Sequence, residues 1–253
     1  MHRSAALMLL ALALALPAPG LAQDASQIPD LMKQGDAAYR KRFSEKVAWE
    51  AIYFYKEVLK IDANSFEANW KLARSFYSLS DTIASNKRKK ELGAEGLKHG
   101  EAAAKLQPGR IEGWFYGVIC LGEYSMGIGL FTALKQGIEG KFKGMLDKAM
   151  AINPNFDYAG PPRAYGRFYY KLPWPKRDYK KAEQYLVDSR RRSPPKLRTY
   201  LYLAELFVAD GRKADAMAQL RDCVALDPRK EDHPDGARYL RDCKALLKKL
   251  EGQ

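Results

Sequence analysis

From Ala51 to Leu250 the apolar residues recur three and four positions apart, the period of a helix that buries one stripe, and each run stops at proline or glycine. The pattern predicts an all-α chain with no sheet. Its clearest stretch places Tyr200, Leu203, Ala204 and Phe207 on one helix, and Ala216, Leu220 and Cys223 on a second that ends before Pro228. The small residue lets two helices approach closely, and the aromatic one turn later fills the space beside that contact. Proline ends the second helix because it cannot continue the hydrogen-bond ladder. A hairpin of this kind cannot bury its apolar stripe alone, so further copies are expected beside it.

Looser copies stand upstream. Tyr165-Gly166-x2-Tyr169 leads to Ala182, Leu186, Ser189 and Pro194; Tyr116-Gly117-x2-Cys120 leads to Leu146, Ala149 and Pro154; Leu72-Ala73-x2-Phe76 leads to Gly100, Ala103 and Pro108. A fifth, weakest copy runs through Ala51, Tyr55, Val58 and Ala63, has lost its proline, and has an opening helix near Gly35 that fits poorly. The register resembles the tetratricopeptide repeat (TPR), which implies a solenoid of stacked antiparallel hairpins. The anchors lie 45, 46, 40 and 34 residues apart. Only the last matches the family's period of about 34. The excess is expected between the helices of the middle units. The last two repeats fall at about 160–230, and a capping helix over 235–250 carries Ala237, Leu240, Cys243, Leu246, Leu247 and Leu250 as its stripe.

The N-terminus reads as a secretory signal peptide over residues 1–22: Arg3, an apolar run from Ala5 to Leu16, then Gly20-Leu21-Ala22 before Gln23. That run is shorter than the roughly 20 residues a bilayer span needs. The expectation is a soluble periplasmic protein with one helical-repeat domain over 23–253, no integral membrane segment once processed, and no lipid anchor, since no cysteine follows the cleavage point. The net charge of +13, with clusters at Lys87–Lys90 and Arg190–Arg198, would suggest nucleic acid in the cytosol. Export excludes that partner and leaves a solvated basic surface, an anionic membrane surface, a cell-wall polymer or an acidic protein. Cys120 reads as a buried thiol. Cys223 and Cys243 lie on consecutive helices, where an oxidising compartment permits a bridge if the axial offset allows it.

No reaction centre emerges. His99 and His233 have neither metal-ligand spacing nor a nucleophile beside them, and Gly127-x-Gly129 lacks the rest of a dinucleotide fingerprint. The reading is a non-enzyme with no metal and no cofactor. Binding residues are expected three before and one after the small residue of each first helix, on the concave wall. These are Trp70 and Arg74 with Tyr77, Trp114 with Val118 and Leu121, and Arg163 and Arg167 with Tyr170 and Lys171. Such a groove would grip carboxylates or stack on planar groups, unless the aromatics pack between repeats and the arginines pair with acids. The stretch from Met126 to Met145 is apolar and reads first as extra core packing, yet its glycines at 127, 129, 137, 140 and 144 also fit close helix approach, helix breaks or the wall of a cavity.

Residues 160–173, Gly-Pro-Pro-Arg-Ala-Tyr-Gly-Arg-Phe-Tyr-Tyr-Lys-Leu-Pro, following Leu146 to Pro154, resemble the T component associated with TRAP-transporter substrate-binding proteins, over about residues 45–228. That resemblance implies a periplasmic protein that meets a substrate-binding protein, carries an apolar ligand in a cavity and in some members forms an oligomer. The family's lipid-anchor cysteine is absent here. Two functions follow: a non-catalytic scaffold that binds protein or peptide partners on its concave face, or a carrier of a small apolar ligand. An open basic and aromatic groove would favour the first, and a chamber walled by the insert the second.

Overall fold

The computed structural model describes residues 25–42, 44–230 and 235–252, which leaves the leader reading and His233 outside the described residues. The described residues form helices and no strand. They are α1 (Ile28–Arg40), α2 (Glu45–Ile61), α3 (Phe66–Asp81), α4 (Asn86–Leu106), α5 (Ile111–Ile128), α6 (Leu130–Lys135), α7 (Ile138–Ile152), α8 (Phe156–Lys171), α9 (Tyr179–Arg192), α10 (Leu197–Ala209), α11 (Lys213–Ala225), a 3-10 turn at Pro228–Lys230, and α12 (Asp235–Glu251). Five antiparallel hairpins, α1/α2, α3/α4, α5/α7, α8/α9 and α10/α11, stack in chain order with α12 closing the last.

Each hairpin core is the stripe the sequence marks. Tyr55, Leu72, Phe76, Leu146, Leu186, Leu203 and Leu220 are fully buried, and the small residues Ala73, Ala204 and Ala216 sit at the helix contacts. Ser44, Ser65, Ser85 and Asp178 cap α2, α3, α4 and α9 by accepting a backbone N–H from the first turn, so the chain enters these helices with one otherwise orphaned donor satisfied. Gly35 does fill the small-residue position of the first hairpin, because a Cβ there would lie 2.5 Å from the Tyr55 ring.

The excess residues lie between the helices, as expected, in the third hairpin but not in the second. In the second hairpin they lengthen α4 to 21 residues, against 13 in α10 and α11. In the third they make the extra helix α6, set off by Gly137 at φ +70°, a conformation that glycine adopts without penalty. Helices α4 and α5 touch backbone to backbone: a Cβ on Gly100 would stand 2.4 Å from Gly117 Cα. Cys223 and Cys243 are joined by a disulfide that fastens α12 to α11, and Cys120 is a buried free thiol donating to the Ala73 carbonyl.

Candidate functional site

The first helices α3, α5, α8 and α10 turn one face inward, and α6, the start of α7 and α12 complete the surround. The space between them is a cavity of about 370 Å³. One wall is apolar: Ile119 and Met126 of α5, Leu130 and Leu134 of α6, Phe142 of α7 and Phe168 of α8 face it. The insert thus does form a cavity wall. Ionic groups line the cavity as well, most of them from α3, α8, α10 and α12, with Lys89 of α4 and Glu123 of α5 among them.

Asp81, at the end of α3, organises part of this ionic lining. Its Oδ2 accepts from Arg238, from the Tyr239 hydroxyl at 2.7 Å and from Arg198 at 3.3 Å, while Arg198 also donates to the Tyr77 hydroxyl. Burial alone would raise the Asp81 carboxyl. The two guanidinium groups and the tyrosine hydroxyl outweigh it and hold the pKa well below the usual carboxylate range. Beside it Arg42, after α1, pairs with Asp235 of α12 at 2.7 Å and donates to Ser78 Oγ at 2.9 Å. These contacts join the first hairpin, through Arg42, and the second, through Asp81, to the fifth and to the cap, so the two ends of the solenoid meet across a charged seam. The Nε donors of Arg198 and Arg238 are buried there without an acceptor among the described residues.

Other chamber cations are paired as well: Lys89 with Glu123 at 2.7 Å, Arg163 with Asp157 at 3.1 Å and Arg167 with Glu205. Burial, with Asp81 close by, raises the Glu123 carboxyl despite Lys89 and the Ser80 hydroxyl. Lys171 lines the chamber and makes no ion pair among the described residues; its ammonium lies over the Tyr170 ring at 5.2 Å. Burial and then the neighbouring Arg167 lower its pKa. An anion seated beside it would relieve both effects.

Of the expected binding residues, Tyr77, Arg163, Arg167 and Lys171 are brought together on the chamber. Tyr170 lies behind it in a small recess with Arg177 and Tyr179. Trp70 stacks on Tyr116 and Arg74 lies over Tyr39 and Trp70, on the same stripe but outside the chamber. Trp114 points elsewhere and donates its indole N–H to the Pro108 carbonyl. Two expectations need correction. Arg163 is 4% exposed and its guanidinium is committed to the Tyr158 and Asp157 carbonyls and the Asp157 carboxylate. It thereby clamps three consecutive left-handed residues, Asp157, Tyr158 and Ala159, so it is a structural cation and not a free carboxylate grip. Val118 and Leu121 are core residues; on α5 the chamber stripe is Phe115, Ile119, Gly122 and Met126. Leu201 and Glu205 of α10 also line the chamber and were missed, although the three-before, one-after rule applied to Ala204 selects both. Asp81 follows Tyr77 by one turn and extends the α3 stripe in the same way.

Among the described residues no group of His, Cys, Asp and Glu is placed to hold a metal ion, and no helix is long and apolar enough to cross a membrane.

The model of a family described as regulator of microtubule dynamics protein 1-3 matches residues 31–251. Among solved structures, a thermophilic TPR protein of Thermus thermophilus superposes with a TM-score of 0.66 at 18% identity, covering 86% of this chain and 99% of that one, which shows the fold alone. The pilF protein of Pseudomonas aeruginosa (TM-score 0.38, 16% identity, 89% and 99% covered) and yeast Tom70 (0.34, 11%, 90% and 60%) align too loosely to carry an argument. No curated protein matches the sequence.

Proposed function

The chain belongs to the regulator of microtubule dynamics protein 1-3 family, and with that membership and the chamber as premises we propose that it is a non-catalytic binding protein whose concave face holds a small amphipathic ligand with an anionic end. The observation that carries this reading is a chamber lined by both apolar and ionic side chains, among whose cations Lys171 alone lacks a carboxylate partner among the described residues. Its volume lies within the range of about 300–1,000 Å³ typical of small-molecule sites. The apolar body of the ligand rests on Ile119, Leu134, Phe142 and Phe168, and its anionic end lies beside Lys171.

The form of this reading that the apolar leader and the Cys223–Cys243 bond favour is a periplasmic carrier. The resemblance to the TRAP T component supports transfer to a substrate-binding protein. A second reading, a scaffold for protein partners, is supported by Trp70, which stays half-buried on the concave stripe outside the chamber with Arg74 packed against its ring.

The test is binding of a fatty carboxylate and of the alcohol of equal chain length, followed by native mass spectrometry and displacement of a fluorescent fatty acid. Ile119→Trp, which fills the chamber, should abolish binding of both ligands while the helical signal persists. Lys171→Ala should weaken the carboxylate about tenfold and leave the alcohol unchanged. Equal affinity of wild type and Ile119→Trp would overturn the chamber reading in favour of the scaffold.

A further inference from the structure

Stacked antiparallel hairpins place every turn from first to second helix on one edge of the array. Here that edge comprises, among the described residues, 41–42, 44, 82–85, 129–137, 172–178 and 210–212. It carries the two most exposed large apolar side chains among the described residues, Trp174 at 83% and Phe131 at 69%. Both border the chamber. Phe131 projects from α6, whose Leu130, Ala133 and Leu134 line the chamber, and Trp174 follows Leu172, which also lines it. The Lys176–Glu139 ion pair ties the Trp174 loop to the start of α7, two residues beyond the α6 turn, so the two aromatics flank one rim.

The same edge is basic. Lys135, Arg177 and Lys180 are exposed close to the aromatics. Lys87 and Lys90 adjoin them, because Gly127 at the end of α5 packs against the Lys90 backbone. The carboxylates at the rim are largely engaged: Glu139 pairs with Lys176, and Asp178 caps α9 and pairs with Lys181, leaving Glu91 as an exposed acid near Lys90. The turns of the opposite edge, which begin at Asp62, Gln107, Asn153, Ser193 and Leu226, carry no such aromatics among the described residues; that edge has exposed cations of its own, but Arg110, Arg192 and Arg229 there are paired with Glu112, Asp188 and Asp227, so the aromatics and not the charge alone set the two edges apart. A single exposed apolar side chain is ordinary. An indole and a phenyl ring flanking one opening, ringed by lysine and arginine, form the pattern of a surface that meets the headgroup layer of an anionic bilayer, where aromatic rings seat at the interface and cations lie over the lipid phosphates.

We propose that this edge is a membrane-docking surface, with Phe131 and Trp174 entering the interfacial layer of an anionic phospholipid bilayer and Lys87, Lys90, Lys135, Arg177 and Lys180 lying over its headgroups. The proposal rests on the edge and stands whether or not the chamber is occupied.

The protein, purified as its host processes it, is sedimented with vesicles of phosphatidylcholine alone or mixed with phosphatidylglycerol. Wild type should bind the anionic vesicles and release at high salt. Phe131→Ser with Trp174→Ser should weaken that binding at least about tenfold, and Lys135→Glu with Lys180→Glu by a similar factor. Tyr53→Ser, an exposed aromatic on α2 away from the edge, and the chamber-filled Ile119→Trp should bind as wild type, which separates docking from ligand binding. All substituted edge residues are exposed, and an unchanged circular dichroism spectrum confirms each fold. Wild-type binding to neither vesicle, an aromatic double variant that binds as tightly as wild type, or capture by soluble polyglutamate with no vesicle binding would each overturn the proposal, the last in favour of an acidic protein partner.

Discussion

Two joints hold this molecule together by opposite means. Helices α4 and α5 meet through glycine, with Gly100 facing Gly117 so closely that a side chain on Gly100 would strike backbone. The hairpins flanking that joint are apolar, with Phe76 stacked on His99 and Phe115 against Tyr116. Where the ends of the solenoid meet, a single carboxylate instead gathers two guanidinium groups and the Tyr239 hydroxyl, with Tyr77 joined through Arg198. A glycine joint owes its stability to area removed from water and tolerates no added volume. The ionic seam depends on each charge having its partner, and removing one leaves the others buried and uncompensated. Repetition can build the first kind of joint many times over, whereas the second occurs only where distant parts of the chain converge.

The largest effect should come from breaking the seam alone. Asp81→Asn keeps the shape and removes the charge, leaving Arg198 buried without a counter-ion among the described residues and Arg238 with Asp235 alone at 3.9 Å; a loss of about 3–5 kcal/mol in unfolding free energy is expected in urea titration. A loss below about 1 kcal/mol would show the seam to be solvated and open.

Acid should then separate the joints by pH. His99 is buried against Phe76, with Nδ1 2.9 Å from Asn69 Oδ1; burial first, and then Lys98 and Lys56 against Glu95, lowers its pKa to about 4. The unfolded chain therefore binds a proton at His99 through the window from about pH 6.5 to 4 that the folded chain refuses, so stability falls with pH there, by on the order of 3 kcal/mol across the window. His99→Gln should flatten that slope. The Asp81 pKa is depressed, so the seam's contribution is intact above the ordinary carboxylate pKa of about 3.9 and is lost only below it. Loss of the seam contacts between pH 6 and 5, read from the arginine and tyrosine resonances, would reverse this ordering.

The smallest effects sharpen the glycine joint. Gly100→Ala should destabilise by about 2 kcal/mol, because the new Cβ meets backbone that cannot step aside. Gly144→Ala, on α7 with nothing within 4 Å of its Cβ, should stabilise by about 0.5–1 kcal/mol through helix propensity. Equal signs for the two would contradict the close approach of α4 and α5.

This contrast also explains what the sequence discloses. The α10/α11 hairpin is legible residue by residue because its small and aromatic positions are fixed by contacts within about one repeat. The stripe on α3 and α8 leads to Tyr77, Arg167 and Lys171 because each helix has one polar face turned inward. On α5 the same rule slips by one position, selecting Val118 where Ile119 faces the chamber. That helix packs against α3, α4, α7 and α8 and is apolar nearly all round, so polarity no longer says which face is which. Arg163 looks like its neighbour Arg167 in sequence; its commitment to Asp157 and Tyr158 depends on a left-handed turn that no periodicity signals. The seam is the least legible of all, since Asp81 lies 117 residues from Arg198 and 157 from Arg238 and nothing local links them.

A linear stack of hairpins frays from its ends, because a terminal unit has only one neighbour to leave. With Asp81 and Arg42 holding α10 and α12, this array has no terminal unit in that sense, and the first unit to open must part from two neighbours at once. Cyclic closure of this kind turns a row of nearly independent modules into one cooperative body. Hydrogen exchange in α3 and α12, far apart along the chain, should then rise and fall together.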